Sequence, residues 1–105
     1  MDPMLEQQAK NIVSRFLDLT NRGAIPEDEF TGIWNNTIVA IQCLNPRLPG
    51  DRVASEGGEI LMALCKQVHP VNEKTGQPYC ASKTAIVYGA QEAIAAICRL
   101  VAVGV

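Results

Sequence analysis

The chain has 105 residues, 48% of them hydrophobic and 19% charged, with nine basic side chains against eleven acidic ones for a net charge of -2. A chain of this length makes one domain and buries about two thirds of its unfolded surface, so neither disulfides nor a structural metal is needed to fold it. Its Lys and Arg are scattered singly, without the concentrated basic face of a duplex-binding domain, which argues against nucleic acid as a partner.

Aromatic residues are few: Phe16, Phe30, Trp34, Tyr79 and Tyr88. A core built from Ile, Leu, Val and Ala suits packed helices better than a sandwich. The N-terminus lacks the basic-then-apolar build of a secretory signal. The four cysteines, Cys43, Cys65, Cys80 and Cys98, follow no compact disulfide framework. These features read as a soluble, cytoplasmic protein.

Asp2-Pro3 opens a first helix over about residues 3–21, with Asp as cap and Pro preorganised at the first helical position. Leu5, Ala9, Ile12, Val13, Phe16, Leu17 and Thr20 follow helical spacing, and Gly23 suits the left-handed conformation that closes a helix. Pro26 starts the second helix, about 26–44. Glu27, Asp28 and Glu29 sit in its first turn, where the macrodipole favours negative charge. Phe30, Ile33, Trp34, Thr37, Ile38 and Ile41 make its buried stripe, and Asn35, Asn36 and Gln42 lie opposite.

Asn45-Pro46-Arg47-Leu48-Pro49-Gly50 is a breaker-rich connector that divides two helical hairpins. Asp51 is placed as the cap of a third helix, about 51–68, whose stripe is Val53, Gly57, Ile60, Leu61, Leu64 and Val68. Gly57-Gly58 lies inside that pattern. Either the helix starts late, near residues 55–58, or the glycines let another backbone approach closely. A phosphate loop is disfavoured there, because neither a preceding strand nor a following Lys-Ser/Thr is present.

His69-Pro70 ends the helix, and residues 71–80 form a long loop whose Lys74-Thr75-Gly76 reads as a turn. Val71 and Tyr79 flank it as a short hairpin or as the pinned base of a loop. Ser82 caps the last helix, about 82–103. On a helical wheel of about 100° per residue its apolar side chains cover roughly 220°. Gln91, Glu92 and Arg99 interrupt it, which argues against a membrane span. A helix so apolar around its girth needs several neighbours, as the central helix of an all-α, four-helix bundle-like domain.

No motif ties the chain to a particular reaction or family, and no cofactor is expected. The favoured reading is a protein-interaction module: a regulator, inhibitor or adaptor that binds another macromolecule. Its expected contact residues are Asn35, Asn36, Lys74, Gln77, Tyr79 and Tyr88. Gly89, Ala93, Ala96, Leu100 and Val103 make a small-residue flank suited to close approach of another helix, as in a homodimer.

Two alternatives compete with that reading. Cys65 and His69, four apart, share a helix face, and the loop can return Cys80 to them as zinc ligands or as a Cys-His nucleophile pair. A fourth ligand and an orienting carboxylate are both missing, however. A helix-turn-helix through Asn21–Pro26 would present Glu27-Asp28-Glu29 to phosphate, which repels rather than attracts it.

Overall fold

Capping chemistry sets the helix borders. The computed structural model describes residues 2–102, within which α1 spans Pro3–Thr20, α2 Glu27–Leu44, α3 Gly50–Val68 and α4 Lys83–Ala102. Asp2 caps α1 by accepting the Met4 N–H at 2.9 Å, with Pro3 next in line. Ser82 accepts the Ala85 N–H at 3.1 Å and does the same for α4.

Neither middle helix has a side-chain cap; Pro26 and Pro49 hold the capping positions. Asp51 therefore does not cap the third helix. Pro49, at φ -58° and ψ 135°, is already the residue where the chain turns into α3, and Asp51 falls inside the first turn, beside the positive end of the dipole. The late-start reading also fails, since α3 runs unbroken through Gly57-Gly58.

The four helices form an all-α bundle, with no strand longer than a single bridge among the described residues. Neighbours pack in the order α1–α2–α3–α4 and back to α1, and α4 also touches α2 across the diagonal. Both α2 and α4 pack against the other three helices, and α4 does so most extensively. By length and composition it is long and apolar enough to cross a membrane, and a third of its most apolar window is buried in the bundle.

Buried positions recur at helical spacing: Ala9, Val13 and Phe16 on α1, Ile33, Thr37 and Ile41 on α2, Val53, Gly57, Leu61, Leu64 and Val68 on α3. From α4 the core receives Gly89, Ala93, Ile97, Cys98, Leu100 and Val101. Phe16 meets Phe30 and Trp34 edge-on, each with centroids 6.4 Å apart, which locks α1 to α2. The buried hydroxyls of Thr20 and Thr37 donate to the carbonyls of Phe16 and Ile33 at 2.9 and 2.7 Å. Among the described residues no buried side-chain polar atom lacks a partner.

Asn45 pins the far end of the bundle. Its buried side chain donates from Nδ2 to the Val101 carbonyl at 2.8 Å and accepts the Arg47 N–H at 3.2 Å. One side chain thereby satisfies an end carbonyl of α4 and shapes the connector after α2.

Three helical glycines separate into different roles. A Cβ at Gly89 would lie 2.8 Å from Gln67 Cβ and 3.5 Å from Leu64 Cδ1, so Gly89 sets the closest approach of α4 to α3. At Gly57 the neighbour is Ile38 Cδ1 at 3.0 Å, the far end of a flexible side chain on α2. At Gly58 a Cβ would meet Trp34 Cζ2 at an ordinary 3.7 Å.

In urea unfolding followed by circular dichroism, Gly58→Ala therefore gains about 1 kcal/mol of helix propensity. Gly89→Ala gains the same but loses about 1–3 kcal/mol to overpacking, so it comes out destabilised. Equal effects at the two positions would show that α3 and α4 do not meet at Gly89.

Candidate functional site

Small residues along the outer side of the α3–α4 seam leave a groove of about 560 Å³. Ala63, Gly89, Ala93 and Ala96 keep its floor low, and Ile60 and Leu100 supply apolar wall. Along α4 the groove runs from Tyr88 to Leu100, about 18 Å at about 1.5 Å per residue. Its rim is charged. Arg52 is ion-paired with Glu56 one turn on, while Glu59, Glu92 and Arg99 have no ion-pair partner among the described residues.

The small-residue flank of α4 is thus used inside the chain. Gly89 and Ala93 are buried against α3, Leu100 is buried in the bundle, and Ala96 is half-buried in the groove floor. Val103 lies outside the described residues.

The loop before α4 folds back on itself at the Tyr88 end of that groove. Val71 and Pro78 form an antiparallel bridge, the Asn72 N–H donates to the Gln77 carbonyl at 2.8 Å, and the Tyr79 N–H to the Pro70 carbonyl at 3.1 Å. Asn72 Oδ1 accepts the Lys74 N–H at 2.9 Å, and Gly76 takes the positive φ of 72° that completes the turn. The result is a short hairpin in which residues 71–80 are all exposed, Lys74, Gln77 and Tyr79 among them.

Asn35 and Asn36 are exposed on α2. Asn36 lines a second, smaller depression between α1 and α2 with Asn11 and Arg15. The expected contact residues therefore fall on two separate faces: Lys74, Gln77, Tyr79 and Tyr88 at the hairpin end of the α3–α4 seam, and the two asparagines on another pair of helices.

Cys65, His69 and Cys80 are not brought together. Among the described residues no three His, Cys, Asp or Glu side chains converge as a metal site would require. The reason is local. His69 ends α3 and turns its ring toward α1, with Nε2 3.0 Å from Thr20 Oγ1. The Thr20 hydroxyl also lies 2.9 Å from the Phe16 carbonyl. Cys80 stands exposed beyond the hairpin, and burial pushes the Cys65 thiol up to about 11, so it stays protonated and unreactive near neutrality. Burial, with the Glu6 carboxylate nearby, also raises the Cys98 thiol.

At the α1–α2 turn, Arg22 is ion-paired with Glu29, and Glu27, Asp28 and Glu29 are all exposed at the start of α2. The element that a helix-turn-helix would insert into a groove thus presents carboxylates first.

Compared with known protein families, curated proteins and solved structures, the chain matches none.

Burial lowers the His69 pKa below its ordinary 6.5. In the folded state the ring stays neutral where the unfolded chain would already be protonated. The resulting stability is present above about pH 6.5 and is lost as pH falls through the folded pKa. Urea midpoints therefore decline on acidification below 6.5, and His69→Gln flattens that decline. An unaltered pH profile in the variant would remove His69 as its source.

Thiol labelling reads the same structure. Cys43 and Cys80 are exposed and Cys98 is buried, so the first two react within the mixing phase. Cys65 and Cys98 wait for opening, at rates that rise with urea.

Proposed function

We propose that this chain is a helical interaction module that binds another protein through the hairpin and the adjoining α3–α4 groove. One observation carries the reading. Among the described residues, the large apolar side chains left exposed are Met4, Val39, Met62, Val71, Tyr79, Val87 and Tyr88, and four of the seven lie between Val71 and Tyr88. Isolated exposed apolar residues are ordinary; the share of them carried by the hairpin and the start of α4, with Tyr88 lining the groove, favours a contact surface there. Tyr suits that role, since it offers a large rigid area with a polar tip and is enriched among residues that dominate binding energy.

Preorganisation supports the same surface. The Asn72 turn and the Val71–Pro78 bridge hold the hairpin in one shape before any partner arrives, which lowers the ordering cost of association. The alternatives draw less support: among the described residues the metal reading has no convergent ligand set, and for the nucleic-acid reading the Lys and Arg are scattered singly along the sequence.

Capture from native extract with the full chain as bait tests the reading. Tyr79 and Tyr88 are exposed, so Tyr79→Ser combined with Tyr88→Ser leaves thermal unfolding unchanged while weakening capture by at least about tenfold, as removal of binding hot spots does. Undiminished capture by that variant would show that the surface lies elsewhere, and Asn35→Ala with Asn36→Ala would then be the variant to examine.

A further inference from the structure

We infer that the α3–α4 groove seats an amphipathic helix of a partner protein, one with an apolar stripe flanked by Lys or Arg. This rests on the reading of the chain as an interaction module and adds the chemical class of what it binds. The shape argues for a helix. The groove follows the seam of two packed helices for about 18 Å, or about three turns, and a row of small residues in such a seam lets a third helix lie close. It is open along one side, whereas a small-molecule site encloses most of its ligand.

Charge selects the partner. Glu56 is neutralised by Arg52, which leaves Glu59 on the α3 wall and Glu92 on the α4 wall as carboxylates without ion-pair partners among the described residues. Both walls therefore offer an acceptor to cationic side chains that flank an apolar stripe. Arg99, the rim guanidinium without an ion-pair partner among the described residues, lies at the end away from the hairpin, so the bound helix has a preferred direction and carries an acidic residue at that end.

Two synthetic helical peptides with one Leu stripe test this, the first flanked by Lys and the second by Glu, titrated by fluorescence anisotropy against the full chain. The Lys-flanked peptide is expected to bind at least tenfold tighter, with the preference shrinking as salt is raised. Glu59→Lys with Glu92→Lys reverses the preference, and Ala63→Trp, an exposed position that fills the groove, weakens binding at least tenfold. Glu27→Lys with Asp28→Lys, at the acidic start of α2, leaves the preference intact.

Equal binding of the two peptides overturns the inference, as does a reversal produced at Glu27 and Asp28 instead. Light scattering that shows a dimer abolished by Ala63→Trp also overturns it in favour of a second copy. If both peptides fail while Ala63→Trp still removes captured partners from extract, the helix class falls and the interaction module stands.

Discussion

α4 carries more apolar circumference than one neighbour can cover, and the bundle is arranged to cover it. α1 and α3 flank it and α2 reaches it across the diagonal, so Ile97, Cys98 and Val101 are almost completely removed from solvent. Burying a side chain of the size of Ile or Val is worth about 1.5–3 kcal/mol, which makes this helix the largest single investor in the core. Close packing on one side is conditional on Gly89, because a Cβ there would collide with Gln67 before Leu64 and Ala93 were buried. The same absence of side chain that would weaken an isolated helix by about 1 kcal/mol is what brings α3 and α4 together.

That solution leaves a mark on the surface. Small residues at the seam bring the two helix backbones close, but on the solvent side Ala63 and Ala96 are too short to fill the angle between them, and the groove is what remains. Its charged rim follows from the amphipathic pattern of each helix, since the positions bordering a buried stripe are polar. Within α3 the four-residue spacing of Arg52 and Glu56 permits an ion pair. On α4 the seven-residue spacing of Glu92 and Arg99 puts them about 10 Å apart along the axis, so those two charges cannot satisfy each other.

Much of this architecture is readable from residue spacing. Apolar stripes at three- and four-residue intervals place the helices within one or two residues, and Asp2 and Ser82 announce their caps. Asp51 misleads because a capping side chain and a first-turn carboxylate leave the same trace in sequence; Pro49 decides between them only once its ψ is known. Gly57-Gly58 is ambiguous for a related reason. A glycine in a helix signals either an end or a close approach, and which one depends on Ile38 and Trp34, distant in sequence.

The site was less legible, since side chains that share a helix face need not share a destination. Cys65 and His69 are one turn apart, yet the His69 ring is drawn to Thr20 on α1, a partner 49 residues away. The groove itself had a visible precursor in Gly89, Ala93 and Ala96, but its opposite wall, Ile60 and Glu59 on α3, becomes part of it only through packing.

Two long-range polar bonds tie helices together across the bundle, one at each end. Hydrophobic burial is non-directional, so apolar stripes alone would tolerate sliding of one helix along another. His69 to Thr20 ties the ends of α3 and α1 at the hairpin end, and Asn45 to the Val101 carbonyl ties α2 to the end of α4 at the other. A slide of one helical turn, about 5.4 Å, between α2 and α4 would cost the buried Asn45 side chain its partner, at about 1–3 kcal/mol. At the α3–α4 seam itself it is Gly89, opposite Gln67, that sets how closely the two helices meet. The seam that carries the proposed contact surface is thus set by its own close packing, while the two polar bonds hold α1 to α3 and α2 to α4 around it.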